Sequence, residues 1–325
     1  MQSHLGRRAT IFVSVASFCD PLLVFTIRSA LENARYPGRV SFGVVEQDSR
    51  SVEAELPSGA GRAAWLHVDP AHSRGACWAR SLAMSLYAGE DYFFQIDSHT
   101  CFDPGWDSTL IETLEAISVR SGNPRTILST RPFAFSFGPD GGLITKRFTP
   151  YTLKLVPVDP VLKPAEPVMF FTTENSGSMD DLPGFHISAA NLFTRGAFVE
   201  EIPYDPFLYF HGEEQDVSIR AFTRGWDIRH PNKVPLYHLY KRREAGEPPL
   251  HGDPQFEEKR REKWPDMRRR AHGRLADLIS GRLAGVYGIG AVRTIDDYLR
   301  FGGLRIEHGP AVSAASVPVA VEARR

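Results

Sequence analysis

The chain has 325 residues, 42% of them hydrophobic, and a formal net charge of −1 at pH 7. This length and apolar content suit one large domain with an appendage, or two domains, and exclude a globally disordered chain. The near-neutral charge also argues against a general nucleic-acid-binding protein, which is usually basic, while leaving room for a local basic pocket.

The few cysteines indicate a reducing compartment, so a cytoplasmic location is expected. Their number is odd, no CxxC pair occurs, and we interpret each as a small buried hydrophobic residue: Cys19, Cys77 and Cys101. The apolar run that starts at Ile11 is short and interrupted by polar residues, so it predicts a first strand rather than a signal peptide. No run approaches about 18 uninterrupted apolar residues, so no membrane span is predicted.

Strand and helix patterns alternate along the first third of the chain. Apolar runs predict strands over residues 10–16, 40–46, 66–68 and 92–96. Amphipathic spacing predicts helices over residues 20–33, 74–87 and 105–121, the first with Asp20 as its N-cap and Pro21 at its first position. This β-α-β-β-α-β-α order predicts an α/β fold with a mostly parallel sheet and helices on both faces.

The rest of the chain is less regular. A strand is predicted from residue 127, a helix over 216–224 and a strand over 234–240. Residues 131–186 are rich in Pro, Gly and aromatics, which predicts a smaller irregular β region or loops that cover a substrate. The strongly charged helical stretch 257–283 is either a solvated helix face or a docking surface for an acceptor or for the second subunit of a homodimer.

Asp97 and His99 follow a buried strand in the segment DYFFQIDSHTCFDP. Residues i and i+2 of an extended segment point the same way, so both side chains are expected to bind one cation. An oxygen and a nitrogen ligand suit Mn²⁺ or another borderline divalent ion. The alternative is that Asp97 caps the following turn and His99 is an ordinary surface histidine.

Polar residues near the neighbouring strand ends outline a nucleotide pocket beside this cluster. Ser17, Glu46 and Asp48 lie where the first two strands end, at the sheet edge that also carries Asp97. Arg74 and Arg80 lie at the start of the helix that leads into the Asp97 strand, and a helix N-terminus with arginine suits a diphosphate. The alternative for Ser17 alone is a helix cap, and the alternative for Arg80 alone is one partner of a surface ion pair.

A second acidic cluster opens the helix predicted after residue 212. Its members are Glu213, Glu214 and Asp216, which either stabilise the helix dipole or meet a sugar or its acceptor. His238 lies in the strand-like segment VPLYHLY. It is either a structural histidine or the third protein ligand of the Asp97 and His99 site.

Five blocks in order resemble the GT-A glycosyltransferases over about residues 10–305. They are IFVSVASFCDPLLVFTIRSAL with FGVVEQ, RGACWARSLAMSLYAGEDYFFQIDSHTCFDPGWD, HGEEQDVSIRAFTRGWDI, VPLYHLYKR, and YGIGAVRTIDDYLRFGGL. The chain most resembles the cytoplasmic hydroxyproline-directed α-N-acetylglucosaminyltransferases, which modify a ubiquitin-ligase subunit in some eukaryotes, and their bacterial relatives. In that family an Asp-x-His motif replaces the usual Asp-x-Asp.

The resemblance implies a GT-A fold, a UDP-sugar donor, most often UDP-N-acetylglucosamine, and Mn²⁺ or Mg²⁺ bound by Asp97, His99 and His238. It implies transfer with retention to a hydroxyl of a protein, peptide or small glycan. Ser17, Glu46 and Asp48 then line the uridine and ribose, Arg74 and Arg80 the diphosphate, and Glu213, Glu214 and Asp216 the sugar and acceptor. The implied division is a catalytic domain over residues 1–240, with nucleotide and acceptor halves of about 10–125 and 126–240, a C-terminal helical extension over 241–309 and a flexible tail over 310–325.

Two other functions stay open on the residues alone. A sugar-nucleotide nucleotidyltransferase or hydrolase uses a similar fold, but neither a Gly-rich pyrophosphorylase-type loop nor a GxxxxGK[ST] loop occurs in this sequence. A non-catalytic glycan- or protein-binding module is disfavoured by the co-occurrence of Asp97, His99, His238 and the acidic cluster.

Overall fold

The computed structural model describes residues 9–56, 62–163, 165–241, 246 and 248–307. Its first half follows the predicted alternation of strands and helices, with ends that differ by up to three residues. The elements are β1 Ile11–Phe18, α1 Leu23–Asn33, β2 Val40–Gln47, β3 Ala63–Val68, α2 Ala76–Ser85, β4 Tyr92–Asp97, β5 Thr100–Phe102 and α3 Trp106–Ser121.

The middle of the chain contains mainly short strands and one long helix. These elements are β6 Thr126–Ser129, β7 Phe133–Phe137, β8 Leu143–Lys146, β9 Leu153–Pro157, β10 Val161–Leu162, β11 Phe171–Asn175, β12 Leu182–Gly184, β13 Asn191–Arg195, α4 Phe198–Glu201, α5 Glu213–Thr223, β14 Asp227–His230 and β15 Leu236–His238. The C-terminal part adds α6 Pro254–Glu257, α7 Trp264–Ile279, α8 Ile295–Phe301 and β16 Arg305–Ile306.

A central eight-stranded sheet has the order β12-β14-β6-β13-β4-β1-β2-β3. Strands β3, β2, β1 and β4 are parallel, and β13 enters antiparallel between β4 and β6. Ala16 pairs with Asp97, and Ser17 pairs with Glu46, so the carboxyl ends of β4, β1 and β2 lie at one edge. The predicted mostly parallel sheet is confirmed.

Helices cover both faces of this sheet, as predicted. In β1, Ile11, Val13 and Val15 pack in the apolar cluster that includes residues of α1 and α3. Phe12 belongs to the cluster on the other face, with residues of α2 and α5. The alternation of side chains along the strand therefore gives the sheet a core on each side.

The strands of the predicted irregular β region, except β12 in the central sheet, form three small sheets, two of them with strands from outside residues 131–186. The largest has the order β5-β15-β7-β8 and pairs His238 of β15 with Thr100 of β5. The other two pair β9 with β11 and β10 with β16. Because Thr100 follows His99 directly, the pairing of β5 with β15 brings His238 beside the Asp97–His99 segment.

The charged stretch after residue 257 is a surface helix with one apolar stripe. Helix α7 begins only at Trp264, and its buried residues recur every three or four positions: Met267, Ala271, Leu275 and Leu278. Leu275 and Leu278 pack with α8 on Ile219 and Phe222 of α5, whereas Met267 and Ala271 belong to the cluster that includes Val217 and Ala221 of the same helix. The expected tail over 310–325 lies outside the described residues. No helix in the described ranges is long and apolar enough to cross a bilayer.

Candidate active site

The carboxyl ends of β4 and β15 bring three ligand-type side chains together. Asp97 ends β4, His99 follows two residues later, and His238 ends β15. One ligand atom from each of them lies within 4.8 Å of the others. The side chains of Asp97, His99 and His238 are 24%, 12% and 12% exposed, so the cluster opens to solvent mainly at Asp97.

The carboxylate of Asp97 is held on both oxygens. Its Oδ1 accepts a 2.8 Å hydrogen bond from Nη2 of Arg80, and its Oδ2 accepts one of 3.0 Å from Nε2 of His238. Burial alone would raise the pKa of Asp97, but the bond from His238 and the charge of Arg80 hold that pKa well below its usual range. Asp97 is therefore an anion at any pH near neutrality.

His99 is anchored by Asp20, a residue that lies 79 positions earlier in the chain. The Nδ1 of His99 lies 2.6 Å from Oδ2 of Asp20, and a carboxylate only accepts, so Nδ1 carries a proton. The predicted role of Asp20 as the N-cap of α1 is wrong. The helix starts at Leu23 after an N-cap at Leu22, and Oδ1 of Asp20 accepts from the backbone N–H of Leu22, which precedes the helix.

His238 completes a donor set that fits a divalent cation. Burial lowers the pKa of His238, although Asp97 opposes the shift, and a neutral imidazole is the form that binds metals. Its Nδ1 is buried without a hydrogen-bond partner among the described residues. One carboxylate oxygen and two imidazole nitrogens suit Mn²⁺ or another borderline ion better than Mg²⁺, which prefers oxygen alone.

Glu214 lies beside this cluster and is connected to it through Ala189. Its Oε1 accepts a 2.6 Å hydrogen bond from the backbone N–H of Ala189, whose carbonyl accepts from Nη1 of Arg80 at 3.2 Å. Burial acts to raise the pKa of Glu214, but His186 and the Ala189 N–H lower it overall. Glu214 is therefore an ionised carboxylate.

Glu213 has the opposite electrostatic environment. Burial, together with the charge of the adjacent Glu214, raises the pKa of Glu213 to about 7. Its Oε2 is buried without a hydrogen-bond partner among the described residues. The two neighbouring carboxyl groups thus differ in protonation near neutral pH.

Asp216 has contacts that differ from those predicted. Its carboxylate is buried and accepts from Nε and Nη2 of Arg220, at 2.8 and 2.5 Å, within the same helix. Arg220 is itself fully buried and also donates to the carbonyl of Pro203. The structure does not bring Asp216 to the Asp97 cluster.

The residues predicted to line the nucleoside lie at the expected sheet edge but differ in burial and in whether their polar atoms already have hydrogen-bond partners. Ser17 is buried at the end of β1, and Asp48 is half-buried just after β2. Both oxygens of Glu46 are occupied, by hydrogen bonds from Trp65, Ser51 and Val52. Glu46 therefore fixes the loop after β2 instead of presenting a free carboxylate at the edge.

The two arginines predicted to contact the diphosphate differ in exposure. Arg74 is exposed just before α2, whereas Arg80 is 7% exposed and directed at Asp97. Gly75 has φ +97°, and a Cβ there would lie 2.6 Å from the ring of Tyr209 and 2.7 Å from its carbonyl. The close backbone approach that this glycine allows is thus made by Tyr209.

Sequence reasoning missed four residues of this site. Besides Asp20, they are Tyr204, whose hydroxyl accepts from Arg80 at 3.3 Å, His186 near Glu214, and Tyr240, whose ring centroid is 4.4 Å from that of His238. Tyr240 was within reach of sequence reasoning, since it closes the segment VPLYHLY two positions after His238. The others contact the site through partners that are distant in sequence.

The chain is similar to several solved structures. A crystal structure of GalNAc-T7 with UDP, GalNAc and Mn²⁺ is 13% identical, with a TM-score of 0.51, over 71% of this chain and 44% of that one. Two structures of S. aureus TarS have TM-scores of 0.42 and 0.43 at 13% and 10% identity, over 71% and 73% of this chain and 60% and 38% of theirs. The chain thus spans less than two thirds of each, and the likeness to GalNAc-T7 concerns the fold alone.

Sequence comparison assigns the family. No protein of curated function matches the chain significantly. The family model for glycosyltransferase (GlcNAc) matches residues 10–60 and 59–308, which is most of the sequence. The resemblance to glycosyltransferases is confirmed to this level, and the narrower likeness to hydroxyproline-directed enzymes stays a prediction. The chain belongs to the glycosyltransferase (GlcNAc) family.

Proposed function

We propose that this protein is a metal-dependent, retaining glycosyltransferase that moves N-acetylglucosamine from UDP-N-acetylglucosamine to a hydroxyl acceptor. The observation that carries the proposal is the Asp97, His99 and His238 cluster at the carboxyl end of β4, in a chain of this family. Ligands of open α/β sheets bind at such edges, outside the carboxyl ends of the strands.

Asp97, His99 and His238 hold the cation, which we propose to be Mn²⁺ or, less favoured by the nitrogen ligands, Mg²⁺. When bound, the ion supplies Lewis acidity to the departing diphosphate. Arg80 acts through Asp97, because its guanidinium holds one oxygen of that carboxylate and leaves little freedom to contact a phosphate. In this proposal Arg80 positions a ligand.

The donor nucleotide lies along the edge formed by β1, β2 and the start of α2. The exposed Arg74, just before α2, is suited to contact the diphosphate, since both the guanidinium and the helix N-terminus attract anions. Ser17 and Asp48 border the uridine and ribose, and Glu46 supports them by fixing the loop after β2.

Glu214 and Glu213 face the sugar and the acceptor. In front-face transfer, the bond from the anomeric carbon to the β-phosphate oxygen breaks while the acceptor oxygen bonds to the same face of that carbon. The acceptor proton passes to the departing phosphate oxygen, so no strong general base is needed, and the product is α-linked. A double displacement would use Glu214 or Glu213 as the nucleophile, and the ionised Glu214 suits that role better.

The acceptor is proposed from the resemblance alone, as a hydroxyl on a protein, peptide or small glycan, with hydroxyproline as the first choice. A cytoplasmic location fits the cysteines, because Cys77 and Cys101 are buried free thiols. A homodimer through the charged face of α7 is a further part of the proposal.

The test is UDP release from a panel of UDP-sugars without acceptor, with EDTA or with added Mn²⁺ or Mg²⁺. We expect slow hydrolysis of UDP-N-acetylglucosamine that EDTA abolishes. Asp97→Ala and His99→Ala should lower the rate at least about 100-fold, because removal of a charge-stabilising group costs rates of this order.

Asp103→Asn is the matched control, since Asp103 lies just after β5, pairs with Arg147 and is no part of the cluster. Its rate should equal that of the unmodified protein. Unchanged turnover in folded Asp97→Ala and His99→Ala would contradict the proposed site, and pyrophosphate in place of UDP would indicate a nucleotidyltransferase.

A further inference from the structure

The carboxylate of Asp20, which follows β1 in the chain, contacts the loop after β4 that carries His99. Its Oδ2 accepts a 2.7 Å hydrogen bond from the hydroxyl of Ser98 and a 2.6 Å bond from Nδ1 of His99. Its Oδ1 accepts at 3.0 Å from the backbone N–H of Leu22. The side chain is only 3% exposed, so these contacts are shielded from water.

The backbone on both sides of this contact is fixed. Cys19 has φ +45°, a value that non-glycine residues rarely adopt, and its N–H donates to the carbonyl of Gln47. On the other side, the hydroxyl of Thr26 in α1 donates to the carbonyl of Ser98 and accepts from the N–H of Thr100. The turn after β1 and the loop after β4 are thus joined at several points around Asp20 and His99.

The two histidines of the cluster are held differently. The Nδ1 of His99 donates its proton to Asp20, which leaves Nε2 as the acceptor nitrogen of the neutral ring. His238 bonds Asp97 through Nε2, and its Nδ1 has no partner among the described residues. Of the two histidines, His99 is therefore the one whose contact through Nδ1 leaves Nε2 to a cation.

We propose that Asp20 is a positioning residue that presents Nε2 of His99 to a divalent cation. The inference deepens the proposed function, because it rests on the assignment of His99 as a ligand. A carboxylate on the second nitrogen of a ligating histidine fixes the tautomer and raises the basicity of the ligand nitrogen. Asp20 thereby makes His99 the preformed member of the site.

The test is the affinity of the nucleotide-free protein for Mn²⁺, measured by electron paramagnetic resonance of the free ion. We expect Asp20→Asn and Asp20→Ala to weaken Mn²⁺ binding by roughly 10- to 100-fold, the usual effect of removing such a partner. Nitrogen-15 NMR of the metal-free protein should show His99 protonated at Nδ1 in the unmodified chain and a mixture of tautomers in Asp20→Asn.

The matched control is Asp107→Asn. Asp107 is also buried and accepts from the backbone N–H groups of Arg35 and Tyr36, at 2.8 and 3.0 Å, so its loss perturbs structure without touching the cluster. If Asp107→Asn weakens Mn²⁺ binding as much as folded Asp20→Asn, the effect is one of general stability and the inference is wrong. Unchanged Mn²⁺ affinity in Asp20→Asn, or an Nε2-protonated His99, would also overturn it.

The outcomes separate this inference from the proposed function. A protein that binds Mn²⁺ in an Asp20-dependent manner but releases UDP from no sugar nucleotide would support the role of Asp20 and contradict the proposed reaction. A protein that turns over UDP-N-acetylglucosamine in EDTA and binds no Mn²⁺ would overturn the role of Asp20.

Discussion

At the scale of single residues, the candidate site is a set of charged groups that restrain one another. Arg80 holds Asp97, Asp20 holds His99, and the N–H of Ala189 holds Glu214. Glu213 lacks such a partner for Oε2 among the described residues. It is therefore the residue of the site whose own charge most opposes the folded state.

Glu213 should make the protein less stable as the pH rises. Its pKa is about 7 in the folded chain against an ordinary value of 4.5, so the folded state binds more protons than the unfolded state between these values. Stability therefore falls through that window, and the loss is complete above about pH 7. We expect Glu213→Gln to remove a loss on the order of 2 to 3 kcal/mol.

The measurement is the free energy of unfolding in urea at about pH 5 and about pH 7.5, compared between the unmodified protein and Glu213→Gln. Glu53→Gln, at an exposed position, is the control and should follow the unmodified protein. Parallel pH profiles for the unmodified chain and Glu213→Gln would show that Glu213 is not titrating abnormally.

Residue type and spacing predicted Asp97 and His99 because both follow one buried strand, where position and direction are local properties. The same reasoning misplaced Asp20, since its partner His99 is 79 positions away and a cap was the nearest local explanation. Glu46 and Asp216 were predicted at the site on equal grounds. Which carboxylates are occupied by Trp65 or Arg220 depends on tertiary contacts that a pattern does not contain.

At the scale of elements, the sequence predicted the strands and helices whose pattern is local and missed those that depend on distant pairing. Strands β1 and β4 are mainly apolar runs, and their predicted ends differ from the observed ones by two residues at most. Strand β13, with the sequence NLFTR, has no clear period and was not predicted. It is stable because it lies between β4 and β6 in the centre of the sheet.

The segment of residues 248–260, which follows β15, returns to the end of β1. His251 contacts the hydroxyl of Ser73 through Nε2 at 2.9 Å, and its ring lies 5.1 Å from that of Phe18 at the end of β1. Arg260 is buried and donates to the carbonyls of His251 and Pro70. The arginine thus ties residues 248–260 to the loop that precedes α2.

We expect Arg260→Met to destabilise the protein by about 2 to 4 kcal/mol, because the carbonyls of Pro70 and His251 and the carboxylate of Glu257 lose a donor. The methionine retains most of the packing volume, so the effect reports the hydrogen bonds. Thermal or urea unfolding measures the loss, and amide hydrogen exchange should rise in residues 250–258. Arg261→Met, at the adjacent exposed arginine, should change neither; equal effects of the two substitutions would refute this role of Arg260.

At the scale of the whole molecule, the C-terminal extension is packed into the main domain. Helices α7 and α8 bury Leu275, Leu278 and Tyr298 against α5, and β16 pairs with β10. Helix α5 begins with Glu213 and Glu214. The extension therefore packs on the helix that carries this acidic pair. The division of the chain into two domains at residue 241 stays a prediction from the sequence. The packing of α7 and α8 on α5 predicts that the residues on the two sides of this boundary unfold together.

Leu278→Ala tests this coupling. Leu278 is fully buried, so its truncation should cost about 2 to 5 kcal/mol. If the extension and the main domain form one cooperative unit, calorimetry will show one transition shifted to lower temperature, with near-ultraviolet dichroism and hydrogen exchange in β1 and β4 shifted equally. Leu143→Ala, at a 47% exposed position, should leave the transition in place. Two separated transitions, with only the first shifted, would instead mean that α7 and α8 fold independently and that the acidic pair keeps its geometry without them.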